Sequence, residues 1–182
     1  MTHSPLKATV CLILLLVCCG VATAADPAIE QAQKLFESYM AYEKAYDNRL
    51  GGLFDDDAVI KGVMFNRNNV GSPMPEIKGR DLKGTIAELF PFLQDQNLSK
   101  KYGACKYTDV KYTRKADKVR IECWRYDPTE QFTGRFSMLV GKAYDGKWKI
   151  FELFTEFRPP PEEVRPRSRS FRGRGGRGMF DD

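Results

Sequence analysis

The side chains of this chain that can do chemistry are carboxylates, phenols and arginines, and two carboxylates stand out by their neighbours. Glu43 falls beside an apolar stripe at helical spacing, close to Tyr39 and Tyr46. Glu152 lies in the last period-two segment, in phase with Trp148, Ile150 and Phe154. Two carboxyl groups in one apolar pocket have their pKa values pushed apart, which is how acid–base pairs are built. Tyr39 with Glu43 or Glu152 is therefore the catalytic set to look for. The opposing expectation puts Glu43 at the edge of the helix face, and Glu152 in solvent or paired with Arg135, because surface carboxylates vastly outnumber buried ones. Asp55, Asp56 and Asp57 are adjacent rather than spaced alternately as in a calcium loop, so a solvated turn is expected there and no metal site.

Other chemistries are excluded by what the mature chain lacks. The N-terminus reads as a secretion signal over residues 1–24: Lys7, an uncharged run from Ala8 to Val21, then Ala22-Thr23-Ala24 with small residues where a signal peptidase cuts. The apolar run is shorter than the roughly 20 residues that span a bilayer, so no transmembrane segment is expected after cleavage, and the location is secreted or periplasmic. The one histidine, His3, leaves with this segment. No mechanism that needs a histidine base, nucleophile partner or metal ligand remains, and no cofactor is implied. Cys105 and Cys123 are the cysteines that stay. Export favours a disulfide. Strand phase opposes it, putting Thr108, Val110 and Tyr112 inward with Val119, Ile121 and Cys123, and Cys105 outward. Only a bulge would reverse that phase.

The elements that must position these residues follow from pattern. Asp26-Pro27 is a helix start, with Asp as cap and Pro in the first turn. Ala28, Ala32, Leu35, Tyr39, Tyr42, Tyr46 and Leu50 recur on one helix face until Gly51-Gly52 and the aspartate cluster interrupt it. Residues 58–65 read as a strand and 66–75 as a loop. A second helix starts near Arg80, with Leu82, Ile86, Leu89 and Leu93 on one side. From Lys106 the period is two, with strands over 106–113, 118–126, 133–143 and 148–157. Asp145-Gly146 is a strong hairpin signal between the last two. This is an α+β order, a long helix against a bent antiparallel meander, with an open cone between them. The domain spans 25–157. Tyr39, Tyr42, Tyr46, Trp124, Phe136, Met138, Trp148 and Phe154 are expected to line that cone and to suit a small apolar or amphipathic ligand.

Residues 158–182 have another character. Pro159-Pro160-Pro161 ends regular structure, and Arg165, Arg167, Arg169, Arg172, Arg174 and Arg177 follow among Gly and Ser with little apolar. Such a basic segment is expected to be disordered and to meet anionic partners: lipid headgroups, acidic glycans or nucleic acid. Asn97-Leu98-Ser99 is a glycosylation sequon in a eukaryotic host.

Three stretches carry a resemblance. The run from Asp47 to Val59 resembles the end of the first helix and the first strand of nuclear-transport-factor-2-like domains. Lys78-Gly79-Arg80-Asp81 resembles their entry to the next helix, and residues 145–150 are similar to their last hairpin. The likeness covers 26–157 and implies the cone fold, whose outer sheet face commonly pairs into homodimers. It does not imply one function, since the fold hosts enzymes, ligand binders and docking modules. Within it, the ketosteroid isomerases supply a test. Aligned on Asp47 and Asp57, their helix tyrosine falls on Tyr39 but their base falls on Gly62. Aligned on Gly146, their oxyanion aspartate falls on Met138. Neither Gly nor Met can move a proton. The expectation is a non-catalytic pocket or docking domain. The rivals are a divergent enzyme built on Tyr39 with Glu43 or Glu152, and a dimeric assembly module.

Overall fold

The computed structural model describes residues 26–96, 100–101 and 103–160. The expected secretion signal, the sequon and the arginines beyond residue 160 lie outside them. The α+β order is observed. Helix α1, Pro27–Ala45, begins where Asp26 caps the Ala28 amide, and it ends at Tyr46 in a left-handed conformation (φ 49°). Asn48–Leu53 forms a 3-10 turn that buries Leu50. The strands are β1 (Phe54–Phe65), β2 (Gly71–Pro73), β3 (Ile77–Lys78), β4 (Lys106–Lys115), β5 (Lys118–Asp127), β6 (Phe132–Lys142) and β7 (Trp148–Phe157). Helix α2, Gly79–Asp95, separates β3 from β4. Its entry needs glycine, because a Cβ on Gly79 would run into the Asp55 carbonyl oxygen.

The sheet order is β2-β1-β7-β6-β5-β4, with β3 also pairing on β1. The last four strands form the expected antiparallel meander, and β1 joins β7 in parallel. Ala32, Leu35, Phe36 and Tyr39 of α1 pack on Val119, Ile121, Phe136, Met138 and Leu153, which form the core.

Three irregularities decide which side chains face that core. In β4, Asp109 and Val110 together oppose one position of β5, between the pairs Thr108–Trp124 and Lys111–Glu122. Asp109 has φ 56°, so this is a bulge with a left-handed residue. In β7, Phe151 is the extra residue between the pairs Val140–Ile150 and Leu139–Glu152. In β1, the register shifts between Phe54 and Val59, so Asp55 to Asp57 lie inside the strand and not in a turn before it. The bulges in β4 and β7 exchange inward for outward along their strands, whereas in β1 Phe54, Ala58 and Gly62 keep one buried phase across the shift.

On α2, Leu89 is exposed rather than on the packed side, and Phe90 packs against the core in its place. Among the described residues no helix is long and apolar enough to cross a membrane.

Candidate functional site

The bulges sort the candidate residues onto two faces. Phe154, expected inside, and Glu152, expected either in the pocket or in solvent, face outward because Phe151 shifts their phase. Glu152 accepts a hydrogen bond from Arg120 Nη2 at 3.0 Å, not from Arg135. Trp124, also expected in the cone, sits opposite Thr108 and Arg135 on the outer face and is 43% exposed. The inner face keeps Tyr39, Phe136 and Met138, which are 6%, 2% and 0% exposed, with Tyr42 and Trp148 packed against them. Tyr46 stands half-buried, edge-on to Phe90. A Cβ on Gly62, the position of the isomerase base, would meet Met74 Sδ at 2.9 Å. Its cross-strand neighbour Thr155 has a buried hydroxyl with no hydrogen-bond partner in the structure.

Glu43 is the expected carboxylate that joins Tyr39, by way of Tyr107, and it brings partners that the strand phase had missed. The Asp109 bulge turns Tyr107 inward, where its ring meets Phe36, Tyr39 and Phe136 at centroid distances of 5.4, 6.4 and 5.2 Å. Its hydroxyl donates to Glu43 Oε2 at 2.7 Å. Arg125, two residues after Cys123 on the inward phase of β5, donates from Nη2 to Glu43 Oε1 (3.2 Å), Asp127 Oδ2 (3.1 Å) and Cys105 Sγ (3.0 Å). Asp127 Oδ1 in turn accepts from the Thr129 amide. Cys105 therefore points into this cluster and not outward. It remains a free thiol, as does Cys123.

The electrostatics of the cluster favour neutral donors around one guanidinium and its two carboxylates. Burial, and then the Glu43 carboxylate, raise the Tyr39 phenol well above its ordinary value. Burial raises Tyr107 likewise, with Tyr39 and Glu43 adding to it. Burial and then Glu43 push the Cys105 thiol up to about 12, and burial does the same to Cys123. Neither thiol is a nucleophile at neutral pH, since only the thiolate attacks. Both Glu43 oxygens already accept hydrogen bonds, and Glu43 and Arg125 keep only 18% and 14% of their side-chain surface. A general base must reach a substrate proton, and this carboxylate is spent on Tyr107 and Arg125. Among the described residues no three His, Cys, Asp or Glu side chains are grouped to hold a metal ion. Asp56 and Asp57 pair with Lys83 and Arg80 of α2.

The outer face is open. A groove of about 590 Å³ runs along it between Trp124, Arg120, Arg135, Lys111, Phe154 and Glu156, and a smaller one of about 210 Å³ lies between Lys61, Arg120 and Glu152.

No protein-family model matches the sequence, and no curated protein does. Solved structures do match. A cystatin-like fold protein from Burkholderia xenovorans is 14% identical, with a TM-score of 0.53 over 75% of this chain and 96% of that one. A nuclear-transport-factor-2-like protein with a cystatin-like fold from Novosphingobium aromaticivorans is also 14% identical, covering 86% and 92%, with a TM-score of 0.49. A ketosteroid isomerase-like protein from Erwinia carotovora atroseptica is 15% identical, covering 72% and 96%, with a TM-score of 0.45. At these identities the likeness is one of fold, and the fold of this chain is nuclear-transport-factor-2-like.

Proposed function

We propose that this chain is an exported, non-catalytic assembly module that pairs with a second copy through the outer face of its sheet, and whose arginine-rich segment meets anionic surfaces. The observation that carries this reading is the contrast in exposure between the faces. Of the inner residues that would line a ligand cone, Tyr39, Phe136 and Met138 have almost no accessible surface, while the outer face holds open grooves and an exposed Trp124.

The outer face also has the composition a two-fold interface requires. Four acids (Asp109, Glu122, Glu152, Glu156) and four bases (Lys61, Lys111, Arg120, Arg135) surround Trp124 and Phe154. A patch that must meet its own copy needs both signs, since each charge finds its opposite only if the patch carries it. Central aromatics with charged surroundings are the anatomy of protein interfaces. The catalytic reading loses support at both carboxylates, since Glu152 sits outside with Arg120 and Glu43 is held by Arg125 and Tyr107.

Sedimentation equilibrium of the mature protein is the test. A dimer is expected, and Trp124→Glu, a change at an exposed position, is expected to weaken it at least tenfold without lowering the melting temperature. A wild-type protein that stays monomeric at high concentration overturns the reading.

A further inference from the structure

We propose that the lysine-rich end of the sheet, where the β4–β5 and β6–β7 hairpin tips lie side by side, docks on the surface of an anionic lipid bilayer. The register joins the two tips: Lys115 pairs with Lys118, Lys118 with Gly141, and Gly141 with Lys149. Between Arg114 and Lys149 the two turns bring together six cations against Asp117 and Asp145. Some of these cations are engaged. Lys118 lies 4.1 Å over the Phe151 ring, Lys149 donates to the Gly52 carbonyl, and Arg114 stands 4.0 Å from Asp26. Lys115, Lys142 and Lys147 have no ion-pair partner among the described residues. Several cations elsewhere on the domain are answered, as Lys34 is by Glu30, Lys61 and Lys78 are by Glu76, and Lys83 is by Asp56. Asp145, the nearest acid, accepts from the Lys147 amide and so shapes the turn.

Tyr144 stands at the apex of this end with its whole side chain in solvent, the most exposed large hydrophobic residue of the described chain. A phenol is an amphipathic ring that settles at the level of lipid headgroups, and lysines beside it reach the phosphates. The shape selects the partner. Single-stranded nucleic acid needs a groove that follows its backbone, with rings in a row for successive bases. Here one ring projects from a convex end among scattered ammonium groups, which suits a plane. The arginine-rich segment is not what gives this end its charge. It leaves the sheet after Arg158, which pairs with Thr133 at the opposite end of β7.

Vesicle co-sedimentation of the mature chain, Ala25 to Asp182, at low salt tests the proposal, with phosphatidylcholine vesicles compared against vesicles rich in phosphatidylglycerol. Each lysine near such a surface is worth about fivefold, so Lys115→Ala, Lys142→Ala and Lys147→Ala together are expected to lower binding about a hundredfold. Tyr144→Ser is expected to lower it several-fold while leaving the binding of a single-stranded oligonucleotide unchanged. All four positions are exposed, and the melting temperature of each variant serves as the control for folding. Retention of vesicle binding by the triple variant overturns the proposal. So does failure of the wild type to prefer the anionic vesicles, or a matching loss of oligonucleotide binding in both variants.

Discussion

The inner and outer faces of one strand, β5, are made from alternate residues of a single run and have opposite fates. Ile121 and Cys123 are buried in the core, and Arg125 is held between Glu43 and Asp127. Glu122 and Trp124 stay in water beside an open groove. The inner face pairs its polar groups with each other, Glu43 with Tyr107 and Arg125, and Arg125 with Asp127. The outer face leaves its polar groups available, so recognition is to be sought there. Burial makes this difference, not residue type, for both faces carry aromatics, acids and arginines.

Reactivity tests the comparison with the largest effect. With both thiols raised from 9.0 to about 12, the folded chain at pH 8 is expected to react with a thiol reagent about a thousandfold more slowly than the unfolded chain. The same shifts fix the alkaline limb of stability. Between pH 9 and 12 the folded state holds protons that the unfolded state has released. Stability from this source is therefore whole below pH 9 and is lost as pH rises toward 12, a loss that urea midpoints record.

Next comes the ion pair. Arg125→Met leaves Glu43 and Asp127 without their common partner and is expected to cost about 3 kcal/mol in urea unfolding. Arg125→Met with Glu43→Leu is expected to recover part of that loss. A double variant as weak as the sum of its parts would place the pair in solvent rather than in the interior.

The outer pair gives a much smaller number. Arg120→Ala is expected to cost about 0.2–1 kcal/mol, because Glu152 is half-exposed and water replaces the lost partner. A cost comparable with that of Arg125→Met would erase the distinction between the faces. Thr155→Val should be the mildest change, neutral or stabilising by about 1 kcal/mol in thermal unfolding, since it removes a buried hydroxyl that has no partner.

Much of the fold was legible in the sequence because its signals are local. Asp26-Pro27, the helical spacing from Ala32 to Tyr39, and the Asp145-Gly146 turn each act over a few residues, and each is found where expected. Facing was not legible, because it accumulates along a strand and one extra residue inverts everything beyond it. Counting from Ile150 through an unbroken β7 brought Glu152 and Phe154 inside, and Phe151 undoes that count. Tyr107 was missed for the same reason. Its spacing from Tyr112 carried a signal, since residues five apart cannot share one face of a regular strand. Arg125 and Asp127 needed only the phase of Val119, Ile121 and Cys123 carried four residues further. Trp124 was placed with the interior aromatics because of its size, against that same phase.

The Asp109 bulge lets β4 carry one residue more than β5 while the two strands keep a common inward phase. Removing that one aspartate would leave Val110 alone opposite Cys123 and the pairs on either side in register, so Tyr107 and Cys105 would still face Glu43. A single-residue gap at this point would thus shorten the chain without reordering its interior, and the phenol and the thiol would stay at the carboxylate.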